Sequence, residues 1–240
     1  MLKGICWESP GKFVSKRIGD CIIHSAMPKY PIFLDLTDRR VVLIGGGAVA
    51  VRKAHVLLDA GARLVIVTDQ ASDMLTGLCV ERAAELVRAK YAKEYIAEAV
   101  LVIAATNDEK VNRQVYSDCQ ELGILCNVVD DPPLCDFFVP AVVRRGDLQI
   151  AIGTDGYCPA YAGHLRNKLE AIFTEQHGLF LAELEWARKQ IIEEIANSAD
   201  RKALLGELVE DASFECFTAH GSAAWRERAR RRIESYKTGS

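Results

Sequence analysis

The residues of this chain best suited to chemistry are a glycine-rich loop and the small residues around it. Gly45-x-Gly47-x-x-Ala50 comes directly after the apolar run at residues 41–44 and opens a segment with helical periodicity. Gly45 would permit a tight turn, Gly47 would let the backbone approach a pyrophosphate, and Ala50 would let the helix pack close to the strand. The first N–H groups of that helix would then bind the phosphates.

An acid completes this fingerprint. Asp69 stands at the end of the next apolar strand, at residues 64–68. A carboxylate there accepts hydrogen bonds from the ribose hydroxyls and repels a 2′-phosphate. The combination predicts binding of NAD rather than NADP. The alternative is a glycine turn that only tightens the corner between strand and helix.

A second loop ends a later apolar strand at Ala104-Ala105-Thr106-Asn107. Ligands of such sheets bind outside the carboxyl ends of the strands. Thr106 is therefore predicted to line the nicotinamide side of the cofactor. The alternative is a small-residue turn in which Thr106 or Asn107 caps the following helix.

Alternating strand and helix signals would position these loops. Buried strands are predicted at residues 41–44, 64–68, 99–104 and 124–129, with a short strand near 85–88 and a lead-in strand at 31–36. Helices are predicted at 48–60, near 71–78 and at 108–122, the last between Asp108 and Gly123 as its caps. This order predicts an α/β fold with a Rossmann-type parallel sheet of about five strands.

The pattern changes after this sheet. Two strands, at 137–144 and 148–154, flank Arg145-Gly146-Asp147 and predict a hairpin. From Pro159 onward the chain predicts a helical C-terminal region, with Ser222 as the cap of a last, arginine-rich helix.

Composition excludes some classes of function. The net charge of −3 does not suggest a nucleic-acid binder, and no apolar run approaches the length of about 20 residues that spans a bilayer. The eight cysteines form no CxxC pair, so we expect reduced thiols and no metal site. We also expect a soluble, cytoplasmic protein without membrane association. Residues 1–27 lack the pattern of a secretory signal and are predicted to be a flexible extension, with Met27 as an alternative start.

The motifs together resemble a known family, the N-terminal module of siroheme synthases and the standalone precorrin-2 dehydrogenases, from about residue 30 to 175. The matching segments are Tyr30-Pro31-Ile32-Phe33-Leu34, Gly45-Gly46-Gly47-Ala48-Val49-Ala50 with Arg52-Lys53-Ala54, Leu58-Asp59-Ala60-Gly61-Ala62, Ala104-Ala105-Thr106-Asn107-Asp108, Cys126-Asn127-Val128-Val129-Asp130, Gly156-Tyr157-Cys158-Pro159 and Leu165-Arg166-Asn167-Lys168-Leu169-Glu170.

The resemblance implies an NAD-dependent enzyme that oxidises the tetrapyrrole precorrin-2 to sirohydrochlorin. Some family members also insert Fe²⁺ into the product, and the sequence leaves open whether this chain does. The resemblance further implies a homodimer that exchanges strands between subunits. The predicted divisions are an extension at 1–27, the Rossmann domain at 28–134, a dimerisation β segment at 135–157 and a helical domain at 158–240.

The resemblance also implies roles for single residues. Asp130 matches the family's essential aspartate and would be the catalytic base; by residue type alone it could equally start a turn. Cofactor contacts are implied for Ala48, Val49, Asp69 and Gln70.

A substrate pocket is implied around Thr154, at a position where relatives carry a serine. His164, one of several cationic residues near the matched segment, is also expected to line the pocket. The alternative is that these residues form a solvated helix face. Relatives read Gly-Thr-Ser-Pro where this chain reads Gly156-Tyr157-Cys158-Pro159, so a good helix cap is lost.

One alternative belongs to another functional class. A Rossmann domain can serve as a non-catalytic NAD-sensing module, because a fold does not decide a function. A pure sensor needs neither a carboxylate beside the nicotinamide nor a second pocket of substrate size. Asp130 and the long helical region therefore favour the enzyme.

Overall fold

A computed structural model describes residues 29–238 and, as backbone only, two short antiparallel strands before them, β1 Lys16–Ile18 and β2 Cys21–Ile23. Apart from these strands, the flexible extension predicted at 1–27 lies outside the described residues. The chain divides into two compact units, Met1–Phe138 and Val139–Ser240.

The first unit is built on one parallel sheet. Its strands lie in the order β5-β4-β3-β6-β7 and all pair in parallel. They are β3 Arg40–Ile44, β4 Arg63–Val67, β5 Glu85–Val87, β6 Leu101–Ala104 and β7 Leu125–Val128. The helices between them are α1 Ala48–Asp59, α2 Asp73–Glu81 and α3 Glu109–Leu122. The Rossmann-type sheet predicted from the sequence is confirmed.

Continuous apolar runs form these strands because both faces of the sheet are covered. Val41 and Leu43 of β3 lie in one core cluster, which also contains Ala50 of α1. Val42 lies in a second cluster, which also contains Val115 of α3. Alternate residues of one strand therefore enter different cores, as the pleat of a strand requires.

The predicted caps of the third helix are also confirmed. The carboxylate of Asp108 accepts hydrogen bonds from the N–H groups of Lys110 at 2.9 Å and Val111 at 3.3 Å. Gly123 ends α3 with a left-handed φ of 67°. These caps fix where the helix begins, and so where the loop after β6 must end.

The lead-in strand predicted at 31–36 is wrong. Residues 29–36 form no regular element and pair with no strand of the described chain, and Tyr30 and Phe33 are 85% and 70% exposed. The apolar run favoured a strand, but a strand also needs a neighbouring backbone to accept its hydrogen bonds, and Pro31 lacks an N–H.

The second unit joins a hairpin to four helices. β8 Ala141–Arg145 and β9 Leu148–Ile152 pair antiparallel within the chain, as predicted. The helices are α4 Pro159–Ile172, α5 Glu175–Glu194, α6 Ser198–Leu208 and α7 Asp211–Thr238. Gly221 interrupts α7 with φ 78° and ψ 176°, so the arginine-rich part begins at Ser222. The sequence predicted Ser222 as the cap of this part, but the non-helical residue that precedes it is Gly221.

A separate core holds the last three helices together. Trp225 is 1% exposed and donates from Nε1 to the hydroxyl of Ser213 at 2.9 Å. Arg226 forms an ion pair with the buried Glu183 of α5 at 2.5 Å. The arginine-rich helix is thus packed on its neighbours. Among residues 29–238, none of the helices combines the length and apolar character needed to cross a bilayer.

Candidate active site

The carboxyl ends of four strands form one aligned edge. Ile44 at the end of β3 is in register with Val67 of β4 and Ala104 of β6. Ala104 is in register with Val128 at the end of β7. The loops that follow these strands therefore begin side by side, around the point where the strand order reverses. In open α/β sheets that point is the usual place for a ligand.

The glycine loop begins at this edge in the conformation that the sequence predicted. Gly45 has a φ of 133°, which L side chains rarely adopt, and its N–H donates to the carbonyl of Val67 at 3.0 Å. A Cβ at Gly45 would lie 2.4 Å from the carbonyl oxygen of Ala105. At Gly47 a Cβ would meet nothing within 4 Å. The loop is closed against protein at Gly45 and open at Gly47, where the fingerprint expects a pyrophosphate.

Gly46 is a third required glycine, which the sequence analysis did not single out. A Cβ there would lie 1.9 Å from the carbonyl oxygen of Gln70 and 2.7 Å from the hydroxyl oxygen of Thr68. The carbonyl of Gly46 also accepts a hydrogen bond from the N–H of Ser72 at 3.1 Å. The glycine loop therefore rests directly on the loop that follows β4.

The N-terminus of α1 is free to bind an anion. Its first turn contains no acidic residue, and no side chain caps it. The hydrogen bond from the N–H of Val51 to the carbonyl of Gly47, at 3.1 Å, begins the helical ladder. The N–H groups of Ala48 and Val49 precede that bond and have no intrahelical acceptor. Ala50 is fully buried, which allows the close packing that the fingerprint requires.

The candidate ribose ligand is held by a small turn. Asp69 and Gln70 are exposed at the end of β4, whereas Thr68 before them is buried. The hydroxyl of Thr68 accepts from the N–H of Gln70 at 3.2 Å and donates to its carbonyl at 3.2 Å. The backbone of Asp69 forms part of this ring. The sequence feature that could have revealed this turn is a threonine followed by aspartate at a strand end, a common turn pattern.

Thr106 shapes the loop after β6 but does not cap the following helix, because the cap of α3 is Asp108. Its hydroxyl donates to the side-chain oxygen of the buried Asn112 at 2.7 Å and accepts from the N–H of Asp108 at 3.1 Å. Asn112 returns a hydrogen bond to the carbonyl of Thr106 at 3.0 Å. The residue lies at the predicted edge, but its hydroxyl shapes the loop, so its contact with a cofactor stays a prediction.

Asp130 lies in a tightly tied loop after β7. Its side chain is exposed and its φ is 62°, a left-handed value that aspartate tolerates better than most residues. The N–H of Asp131 donates to the carbonyl of Val128 at 3.3 Å and closes a turn around it. The thiol of Cys135 donates to that same carbonyl at 3.1 Å, and the side chain of Asn127 donates to the sulfur at 3.3 Å.

Cys135 and Asn127 are buried, in contrast to the aspartate whose loop they hold. Burial raises the pKa of the Cys135 thiol, which keeps it protonated and able to donate. The loop therefore presents an exposed carboxylate, while buried hydrogen bonds hold the backbone of the loop in place. By sequence alone, Cys135 did not stand out from the other seven cysteines.

Lys53 adds a positive charge near this carboxylate. It lies on α1, whose side chains tilt toward the helix N-terminus and so toward the carboxyl edge of the sheet. Burial lowers the pKa of the half-buried Lys53, and the charge of Arg52 lowers it further, whereas Asp130 opposes both effects. Within the described residues no carboxylate lies within 4 Å of its ammonium. By sequence alone, Lys53 stood out only as part of the Arg52-Lys53-Ala54 motif.

The two predicted pocket residues lie in the second unit. Thr154 is half-buried, and its carbonyl accepts from the N–H of Tyr157 at 2.9 Å to close a turn. Cys158 begins α4 without a side-chain cap, as expected from the loss of serine. His164 is exposed, and its ring stacks on that of Tyr161 with the centroids 6.3 Å apart. Their role in a pocket stays a prediction.

One of the cations near the matched segment is not available to a ligand. Arg145 donates to the carbonyls of Phe173 at 2.8 Å and Glu170 at 3.1 Å, and it pairs with Glu175 at 3.3 Å. Its guanidinium thus satisfies the last carbonyls of α4 and joins them to the start of α5. The described residues contain no group of three or more His, Cys, Asp or Glu side chains that could hold a metal ion.

These residues fit NAD. The open side of Gly47 leaves the room that a pyrophosphate needs, and the uncapped N-terminus of α1 supplies donors for it. The exposed carboxylate of Asp69 stands at the end of the neighbouring strand, where the ribose hydroxyls of a dinucleotide lie in this fold. Residues 32–141 match a family model described as NAD(P)-binding.

The chain is similar to two siroheme synthases and to one precorrin-2 dehydrogenase of known structure. A siroheme synthase from Psychrobacter sp. (strain PRwf-1) is 42% identical over 152 residues, which cover 63% of this chain and 31% of that protein. Siroheme synthase 1 from Serratia proteamaculans (strain 568) is 34% identical over 215 residues, or 89% of this chain and 45% of that protein. The solved structure of SirC, precorrin-2 dehydrogenase, is 25% identical with a TM-score of 0.71, covering 87% of this chain and all of SirC.

Over most of its length the chain is similar to siroheme synthases and to SirC, precorrin-2 dehydrogenase, and residues 32–141 match the NAD(P)-binding family model. It spans less than half the length of the two siroheme synthases and the full length of SirC. The family-model match, at residues 32–141, includes the glycine loop, Asp69 and Asp130.

Proposed function

We propose that this protein oxidises precorrin-2 to sirohydrochlorin with NAD⁺ as the oxidant, in siroheme biosynthesis. The observation that carries the proposal is the shared edge of the sheet. The register of β3, β6 and β7 starts the glycine loop and the Asp130 loop from the same edge. A nucleotide sensor requires the first loop but not the carboxylate. The likeness to SirC over its full length supports the same reaction.

The reaction removes one hydride and one proton from the substrate. Bound NAD⁺ supplies the acceptor for the hydride. The carboxylate of Asp130 is exposed at the same edge and takes the proton, leaving neutral aspartic acid that returns the proton to water. The left-handed backbone of Asp130 is held by the hydrogen bonds of Cys135 and Asp131 to Val128, which fixes the base before the substrate arrives.

Lys53 gives this site a charge that suits the substrate. Precorrin-2 is a polycarboxylate, whereas the chain as a whole carries a net charge of −3. A half-buried ammonium without a carboxylate partner gains most from an anionic ligand, because it has already lost part of its hydration. We assign to Lys53 the binding of a substrate carboxylate near Asp130.

Four further features belong to the proposal. They are the preference for NAD over NADP, a homodimer that exchanges the β8–β9 segment, the domain limits expected from the sequence, and a cytoplasmic location. Thr154 and His164 are assigned to the substrate pocket of the second unit. Insertion of Fe²⁺ into sirohydrochlorin is a separate activity, which the same assay can detect.

An anaerobic assay of the purified chain with precorrin-2 and NAD⁺ tests the proposal. We expect NADH and sirohydrochlorin to form in equal amounts. If the chain is also a chelatase, it will make free sirohydrochlorin disappear faster after Fe²⁺ is added than Fe²⁺ does without the protein. Tight NADH binding without any turnover would contradict the proposal and favour the sensor.

A further inference from the structure

The side chain of Thr68 lies at the junction between two loops, one of which would bind the pyrophosphate and the other the adenosine ribose of a dinucleotide. Thr68 is 8% exposed, one of few polar residues buried in the first unit. A buried hydroxyl must be hydrogen-bonded to be tolerated, and its partners reveal what it holds in place.

Both hydrogen-bond partners of the Thr68 hydroxyl belong to one residue. The hydroxyl accepts from the N–H of Gln70 and donates to the carbonyl of Gln70, each at 3.2 Å. The two bonds close a ring that contains a single residue, Asp69. The backbone of Asp69 is therefore held on both sides, which fixes the direction in which its exposed side chain leaves the backbone.

The glycine loop covers the other side of the same ring. A Cβ on Gly46 would lie 2.7 Å from the Thr68 hydroxyl and 1.9 Å from the Gln70 carbonyl. The N–H of Ser72 donates to the carbonyl of Gly46 at 3.1 Å, and the Ser72 hydroxyl then caps α2. A shift of the ring would therefore move the phosphate-binding loop as well.

We infer that Thr68 is the positioning residue for cofactor selectivity, which holds Asp69 in the direction that accepts ribose hydroxyls and rejects a 2′-phosphate. The inference rests on the NAD-binding part of the proposed function and not on the identity of the substrate. Without the hydroxyl, the carbonyl and N–H of Gln70 lose their partner and the ring opens. Asp69 then faces the ribose in several directions, so that the 2′-hydroxyl loses a fixed acceptor and a 2′-phosphate meets less repulsion.

The test compares Thr68→Val, which keeps the shape but removes the hydroxyl, with Thr68→Ser, which keeps the hydroxyl. The measured quantities are the Kd values of the full chain for NADH and NADPH, obtained by titrating cofactor fluorescence without any tetrapyrrole. Thr76→Val is the matched control, because the Thr76 hydroxyl only accepts from Arg88 on the exposed side of α2.

We expect Thr68→Val to lower the ratio of the NADPH Kd to the NADH Kd about fivefold, roughly what the loss of one or two hydrogen bonds allows. Thr68→Ser and Thr76→Val should keep the wild-type ratio, and Asp69→Asn should lower it at least as far as Thr68→Val does. An unchanged ratio in a folded Thr68→Val protein would overturn the inference, as would equal weakening for both cofactors. Failure of the wild-type chain to bind either cofactor would instead refute the NAD-binding part of the proposed function.

A second variant keeps the test valid if Thr68→Val does not fold. Gln70→Pro removes the N–H that donates to the Thr68 hydroxyl and leaves Thr68 in place. The inference expects the same fall in the Kd ratio. A folded Gln70→Pro protein with wild-type selectivity would overturn it.

Discussion

Gly46 and Gln70 are in such close contact that a Cβ on the glycine would lie 1.9 Å from the carbonyl oxygen of Gln70. No flexible side chain can move aside, because the obstacle is backbone. The contact joins the glycine loop after β3 to the acidic turn after β4. The two halves of the dinucleotide site are thus one packed structure.

A pair of alanine substitutions separates packing from ligand binding in this loop. We expect Gly46→Ala to destabilise the first unit by about 1–3 kcal/mol, because the loops must move apart. Gly47→Ala should fold normally, since Gly47 has a φ of −87° and a Cβ there meets nothing within 4 Å. It should nevertheless weaken NADH binding, because the methyl group occupies the space for the pyrophosphate.

Chemical denaturation and NADH titration of both variants check this expectation. A Gly47→Ala protein with wild-type NADH affinity would show that the pyrophosphate does not lie over Gly47. A Gly46→Ala protein of wild-type stability would show that the two loops are not in close contact.

Lys53 gives the binding of substrate and product a distinctive dependence on pH. Burial lowers the pKa of Lys53, so its ammonium loses its proton at a lower pH than an ordinary lysine. Since only the charged form attracts a carboxylate, the Kd for sirohydrochlorin should rise as the pH rises through that pKa. Lys53→Met should weaken binding about tenfold at neutral pH and abolish this alkaline rise.

Lys53→Arg is the control, because arginine stays charged throughout the accessible range. It should bind sirohydrochlorin at neutral pH much as the wild type does and show no alkaline rise. Quenching of protein fluorescence by sirohydrochlorin measures all three proteins. If Lys53→Met and wild type share one pH profile, Lys53 does not bind a carboxylate of the ligand.

The second unit contains a helical glycine that packing requires. A Cβ on Gly178 of α5 would lie 2.4 Å from the carbonyl oxygen of Arg145, at the end of β8. We expect Gly178→Ala to lower the free energy of unfolding by about 1–3 kcal/mol although alanine is the better helix former. Gly206→Ala in α6, where a Cβ meets nothing within 4 Å, should raise it by about 0.5–1 kcal/mol.

Thermal unfolding followed by circular dichroism compares these two variants directly. Opposite shifts in Tm are the expected result. A stabilising Gly178→Ala substitution would mean that α5 does not pack against the hairpin turn as closely as the structure places it.

The sequence predicted the parts of this fold that depend on local pattern. Continuous apolar runs identified the strands, and Asp108 and Gly123 identified the limits of α3, because burial and capping depend on nearby residues. Gly45 and Gly47 were found because their spacing is characteristic of the fingerprint. The lead-in strand was wrong, because an apolar run alone does not provide a pairing partner.

Features that depend on distant contacts could not be predicted. The requirement for Gly46 comes from Gln70 in the loop after β4, and the position of Arg145 comes from the carbonyls of Phe173 and Glu170. The Cys135 thiol beneath the Asp130 loop belongs to the same group. In each case the residue type permits many roles, and only the tertiary approach of another backbone selects one.

The most direct test of the account concerns Asp130. Enzyme saturated with NAD⁺ is mixed anaerobically with precorrin-2, and NADH formation is followed through a single turnover for wild type, Asp130→Asn and Asp131→Asn. The neighbouring carboxylate is the matched control, because Asp131 lies 4.0 Å from Arg113 and carries no assigned catalytic role. We predict that Asp130→Asn slows the turnover about 10²–10⁴-fold with unchanged NADH affinity, whereas Asp131→Asn stays close to wild type. A folded Asp130→Asn protein that turns over at the wild-type rate would contradict the account.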